Sequence, residues 1–174
     1  MQLAQETFRQ VTRKSAFPPV VRPDTRVLIL GSLPGEASLA AQRYYAHPQN
    51  QFWRLVGGAI GHDIAALGYP ERLEALTGAG IGLWDTVATA SRTGSLDAAM
   101  REIEAAPLAD LVAAQPQLCA VAFNGGTSAR IGRRQLGRET SLTLLDLPSS
   151  SPAYCRITLA QKQERWNLLR KFLG

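Results

Sequence analysis

The sequence predicts an α/β domain built around a mostly parallel sheet of four strands, and two observations carry that expectation. Four short apolar runs, Val27–Leu30, Ile81–Trp84, Leu118–Phe123 and Leu142–Leu147, alternate with segments of helical spacing. Each run then opens into a loop of glycine, proline or small polar residues: Gly31–Gly35, Asp85–Thr89, Asn124–Thr127 and Pro148–Pro152. Parallel neighbours need crossover connections, so strands separated by helices favour a parallel sheet. Ligands of such sheets bind beyond the carboxyl ends of the strands, which is where all four loops are expected to converge.

The elements follow in order. Residues 1–25 carry the proline-rich piece FPPVVRP and read as an arm over a single domain at 26–174. After the first strand, one helix is expected near Ser38, and another from Asn50 turns Phe52, Trp53, Leu55 and Val56 inward. Pro70 suits the opening of the next helix, which Gly78 or Gly80 ends. Ser95 has the chemistry of an N-cap ahead of the helical-looking LDAAMREIEAA, and Pro107 that of a first turn ahead of LADLVAA. Asn124–Thr127 turns the third strand into a helix reaching about Gly132. The C-terminal run Leu159–Leu173 places Trp166, Leu169 and Phe172 on one helical face.

The bulk numbers bound the function. The chain of 174 residues suits one sizeable core, and 45% hydrophobic with 19% charged residues excludes a disordered chain. A net charge of +5 favours a polyanionic partner, with Arg130, Arg133, Arg134 and Arg138 as the local cluster. Two cysteines without a CxxC, and two separated histidines, give no metal site. Cys119 reads as a small core residue and Cys155 as a loop residue. No secretory or membrane-spanning run is present, so a cytoplasmic protein with reduced thiols is expected.

The chemistry concentrates in GSLPGEASLAAQRYYAHPQNQFW, residues 31–53. Two glycines and Pro34 make a sharp turn that admits a ligand close to the backbone. Flat rings and amides then crowd together, as a pocket for a planar hydrogen-bonding ligand requires. Asn50 either caps the helix of Phe52 and Trp53 or holds a water, since an amide both donates and accepts. Asn124 is either a turn residue or a reader of adjacent acceptor and donor edges. Asp85 either caps the following segment or orients water. His47 and Tyr44 read as structural. Gly31–Gly35 lacks the lysine and spacing of a nucleotide phosphate loop.

GSLPG with YYAHPQNQFW resembles the first motif of the uracil-DNA glycosylase superfamily, in its mismatch-specific and family 6 (hypoxanthine-type) branches. GLWDTV, FNGGTSA and LPSSSPAY are similar to later segments of family 6, so the resemblance runs from about residue 22 to the C-terminus. It implies a three-layer α/β/α fold. It also implies hydrolysis of the N-glycosidic bond of an extruded deaminated base in DNA: hypoxanthine, uracil or xanthine. The expected enzyme is monofunctional and monomeric, with no metal or other cofactor. The resemblance places Asn50 and Asp85 in catalysis. It places Gly31, Ser32, Leu33, Gly35, Tyr45, Phe52, Trp84 and Asn124 around the base, with Tyr45 stacking on it. Ser149, Ser150 and Ser151 would hold the DNA backbone, and Pro152, Ala153 or Tyr154 would fill the vacated stack. Two departures matter. Leu33 stands where many relatives carry a water-positioning Asn or Asp, and Leu147 where several carry His or Asn. The alternative they leave open is a damaged-DNA-binding module without turnover. Lys14, Lys162 and Lys171 lie outside the motif loops, so no lyase step is expected.

Overall fold

The computed structural model describes residues 13–138 and 140–174. Among these the strands are β1 (Arg13–Ser15), β2 (Val27–Gly31), β3 (Ile81–Asp85), β4 (Val87–Ser91), β5 (Arg101–Ala105), β6 (Ala120–Asn124) and β7 (Thr143–Leu147). The α-helices are α1 (Glu36–Ala41), α2 (Phe52–Ile60), α3 (Tyr69–Gly78), α4 (Leu108–Ala113), α5 (Gly126–Leu136) and α6 (Leu159–Trp166).

The four apolar runs form one parallel sheet in the order β3-β2-β6-β7. Alternation along β2 sends Val27 and Ile29 to one face and Leu28 and Leu30 to the other. The first pair joins Phe52, Leu55, Val56, Leu76 and Trp166 beneath α2, α3 and α6. The second joins Val121, Phe123 and Leu108, with Leu111 and Ala129 of α4 and α5. Two apolar faces covered by helices give the three-layer α/β/α arrangement. The strand order reverses between β2 and β6, which opens a crevice at their carboxyl ends, at Gly31 and Asn124.

A second sheet, antiparallel and ordered β1-β4-β5, departs from the sequence reading. LDAAMREIEAA is not a helix. Asp97–Ala99 is one 3-10 turn and Arg101–Ala105 is a strand exposed at all five residues. Its helical composition yields to pairing with β4, where propensity is overridden by an available ladder. Ser95 opens no helix of its own; its hydroxyl oxygen accepts the Glu36 N–H at the start of α1 at 2.9 Å. Residues 13–20 are likewise more than an arm. β1 extends the small sheet, and Val20 bridges to Leu83; residues 1–12 of that expected arm lie outside the described residues.

The C-terminal segment is a helix in two pieces, α6 followed by a 3-10 stretch at Asn167–Phe172. Thr158 and Gln161 close a capping box at its start. Trp166 is fully buried, packs edge-on to Phe52 at 5.7 Å, and donates its Nε1–H to the Pro148 carbonyl at 2.9 Å. Cys119 is half-buried rather than a core residue, and Cys155 is exposed. No helix among the described residues is long and apolar enough to cross a membrane.

Trp166→Phe removes the indole donor and leaves the buried Pro148 carbonyl without its partner. A loss of about 1–3 kcal/mol is expected, measured as a lower urea midpoint at unchanged slope.

Candidate active site

The crevice is a cavity of about 540 Å³ at the carboxyl end of the parallel sheet. Its walls come from all four strand ends: Gly31–Gly35 at the end of β2, Asp85 closing β3, Asn124 closing β6 and Ser149–Tyr154 after β7. Tyr45, His47 and Asn50 add a further wall, and Ser95, Leu96 and Asp97 line it from the excursion between β4 and β5.

One hydrogen-bond network joins three of these walls. The Ser150 hydroxyl donates to Asn50 Oδ1 at 2.9 Å and accepts from Asn124 Nδ2 at 2.8 Å. The Ser150 N–H donates to Asn124 Oδ1 at 2.9 Å, and its carbonyl accepts the Gln51 N–H at 3.0 Å. Asn124 Nδ2 also donates to the Tyr45 phenol at 3.3 Å. Asn124 is therefore committed on both ends of its amide. It ties β6 to the serine loop while lining the cavity where a reader of the base is expected. Gly125 makes the tie possible: at φ 95° it takes a backbone that side-chain-bearing residues rarely adopt, and a Cβ there would lie 3.2 Å from that of Ser149.

Asn50 combines both of its expected roles. Its Oδ1 accepts the Phe52 N–H at 3.0 Å and so caps the start of α2, and it also accepts from Ser150. Its Nδ2 carries no hydrogen bond among the described residues and remains a donor toward the cavity. The amide can hold a water by donation, while its acceptor side is already occupied.

Asp85 stands at the cavity floor, 3% exposed, with no hydrogen-bond partner for Oδ2. Its carboxyl is pushed up to about 7, first by burial and then by Asp97, with the Arg92 guanidinium opposing both. Gly31 is what admits it: a Cβ on Gly31 would lie 2.7 Å from Asp85 Oδ1 and 3.0 Å from the Tyr45 hydroxyl. Tyr45 is itself strained, with φ 52°, a conformation that costs of order 1–3 kcal/mol in a non-glycine residue. Its phenol is raised far above its usual range, first by burial and then by Asp85.

Two expected base contacts fall away. Trp84 precedes Asp85 on β3, so alternation points it to the opposite face. There it packs beside the second core cluster and donates Nε1–H to the Phe17 carbonyl at 2.9 Å. Phe52 is fully buried and backs the Tyr45 ring in a stack of 3.8 Å and 12°, supporting the platform without lining the cavity. Gly31, Ser32, Leu33 and Gly35 do line it. Leu33 is 7% exposed and packs with Val87, Ala90 and Met100, so it serves as wall rather than water holder. His47 accepts the Gln49 N–H on Nδ1, and Tyr44 is buried with its hydroxyl on the Pro18 carbonyl.

Ser150 is 1% exposed and too engaged to meet a phosphate, which corrects its expected DNA contact. Ser149 and Ser151 remain available. Their oxygens accept the N–H groups of Ser151 and Ala153, which leaves the hydroxyl protons free to donate. Pro152 and Ala153 are exposed and Tyr154 half-buried at the lip.

Two cations escaped the sequence reading. Lys162, on α6, is 2% exposed. Its ammonium donates to Gln51 Oε1 at 2.9 Å and the Ser151 carbonyl at 3.4 Å, and sits 5.3 Å over the Tyr154 ring. Desolvation lowers its pKa. Arg92, also 2% exposed, donates to the Pro34 carbonyl and, at 2.9 Å, to the Gly94 carbonyl, tying the first loop to the β4–β5 excursion. Ser32 donates to Asp97 at 2.5 Å across the same seam. A polar residue on an amphipathic helix gives no sign of burial, and Arg92 lies outside every motif.

A floor carrying one buried carboxyl, a strained aromatic platform backed by a second ring, a free amide donor and a serine lip define a pocket for a flat heterocycle. The family model of the uracil DNA glycosylase superfamily matches residues 18–170, and the chain belongs to that superfamily. It is 39% identical over 156 residues to a hypoxanthine DNA glycosylase of Methanosarcina barkeri (strain Fusaro / DSM 804), covering 88% of this chain and 96% of the relative. A hypoxanthine DNA glycosylase of Methanosarcina acetivorans is 39% identical over 153 residues, covering 87% and 94%. A solution NMR structure from Methanosarcina acetivorans, provisionally described as a uracil DNA glycosylase, superposes with a TM-score of 0.82 at 36% identity. That match covers 94% of this chain and all of the other.

Asp85 carries a sign that can be checked. Its folded pKa is raised, so ionisation opposes folding: the penalty is absent below about 4, grows through pH 4–7 and is complete above 7. Asp85→Asn is expected to stabilise the fold by about 4 kcal/mol at pH 8 and by little at pH 4, read from denaturation midpoints. Lys162→Met leaves Gln51 Oε1 and the Ser151 carbonyl without their donor; a cost of about 1–3 kcal/mol is expected, together with weaker DNA binding.

Proposed function

We propose that this DNA glycosylase removes hypoxanthine from DNA by hydrolysis, with uracil and xanthine as secondary substrates sharing a carbonyl beside a ring N–H. The observation that carries the reading is the pairing of Asn50 and Asp85 around one cavity, beside the Tyr45 ring. Both relatives named above as hypoxanthine DNA glycosylases span nearly the same length, which supports the choice of base.

The nucleotide is extruded into the cavity and its base lies against Tyr45. The bond from C1′ to the base nitrogen breaks, and the electron pair leaves with the base. Asn50 Nδ2 donates to a water and holds its oxygen toward C1′. That oxygen bonds to C1′, and its released proton passes to the Asp85 carboxylate. The buried carboxylate also opposes the positive charge that develops on the sugar. Backbone N–H groups of the Gly31–Gly35 turn meet the departing base. Ser149 and Ser151 donate their free hydroxyl protons to phosphate oxygens. No lysine among the described residues lines the cavity, so the proposal contains no Schiff base and no strand cleavage.

The test is base release from an oligonucleotide with one deoxyinosine, the product identified by chromatography. Free hypoxanthine is expected from the wild-type chain. Asn50→Ala and Asp85→Asn are expected to lower kcat by roughly 10²–10⁴-fold, and the wild-type rate to rise with pH through about 7 as Asp85 ionises. Lesion-containing DNA bound tightly but recovered intact would favour the non-catalytic sensor instead. Full activity in Asn50→Ala would remove that residue from the mechanism.

A further inference from the structure

The excursion between β4 and β5 holds a leucine in water at the mouth of the cavity. Leu96 is 63% exposed, against 44% for Ile103 and 40% for Leu168, the other exposed large apolar residues described. It is not loose. The Gly94 carbonyl accepts from Lys14 Nζ and Arg92 Nε, both at 2.9 Å, and the Gly94 N–H donates to Glu36 Oε1 at 3.1 Å. Ser95 accepts from the Glu36 N–H at 2.9 Å, and Asp97 accepts from Ser32 at 2.5 Å. Leu96 is thus pinned on both flanks and kept from folding inward.

Its position relative to the serine loop gives it a partner. β3 and β7 are the two edges of the parallel sheet. Leu96 belongs to the excursion that leaves the β3 edge, and Pro152–Tyr154 follow the β7 edge. Both line the same cavity, so apolar groups stand on opposite lips of one mouth. A nucleotide that enters from a duplex leaves a neighbouring base pair on each side. An apolar side chain at a lip can wedge against an exposed base face and offset the lost stacking.

We propose that Leu96 is a second DNA wedge, which packs on the base pair flanking the extruded nucleotide on the side away from Pro152–Tyr154. This rests on the glycosylase reading for the identity of the ligand. The contact needs a stacked neighbour on the far side, so it favours duplex over single-stranded DNA.

Leu96→Ala and Leu96→Gln test it, with Ile103→Ala as an exposed control remote from the cavity. The probe is a duplex carrying an abasic-site analogue beside 2-aminopurine, with the matching single strand in parallel. Both Leu96 variants are expected to keep the wild-type melting temperature. They should bind the duplex roughly tenfold more weakly, blunt the rise in 2-aminopurine fluorescence, and change single-strand affinity less than about twofold. Ile103→Ala should change nothing. Leu96 variants that bind and unstack the duplex like wild type overturn the wedge. Leu96-dependent binding by a chain that releases no base supports the wedge and rejects the enzymatic reading alone. A wild-type chain that binds neither DNA overturns both.

Discussion

Ser150 is the joint on which the pocket depends. One buried residue contacts Asn50, Gln51 and Asn124 through its hydroxyl, N–H and carbonyl. It thereby fixes the start of α2, the end of β6 and the loop after β7 against one another. Each partner is also engaged elsewhere: Asn50 on the Phe52 N–H, Asn124 on the Tyr45 phenol. A network satisfied in this way is rigid, and removing one member strands several buried groups at once.

Around that joint lie features that work against stability. Tyr45 occupies a left-handed backbone conformation, Asp85 is buried with an unpartnered oxygen, and Arg92 and Lys162 are cations almost without water. At the opposite end of the sheet Val27, Ile81 and Ala120 are fully buried in ordinary apolar packing. Strain and desolvated charge around one cavity mark the end of the fold where chemistry is done. The two cations serve as ties here: Arg92 holds the first loop to the small sheet, and Lys162 holds the serine loop to α2.

The parallel sheet was legible because the apolar runs and their Gly- and Ser-rich exits are local signals. The convergence of the four loops followed from the general rule for such sheets. Trp84 was misplaced although the signal was present: period-two alternation from Ile81 through Asp85 sets Trp84 and Asp85 on opposite faces. β5 was not legible, since Arg101–Ala105 has helical composition and becomes a strand only through β4, a contact distant in sequence. The occupancy of amides was also hidden. Asn50 and Asn124 have identical chemistry, and only the placement of Ser150 leaves one with a free donor and the other with none. Lys162, Arg92 and Leu96 belong to no motif, and their roles exist only in three dimensions.

The most direct test of this arrangement is the rate of hypoxanthine release by Ser150→Ala, measured with its circular dichroism and melting temperature. The substitution removes one oxygen. A chain that keeps its secondary structure and loses release by roughly 10²-fold or more is the expected result. Release at the wild-type rate would contradict the central claim, because Asn50 would then need no joint to hold its water.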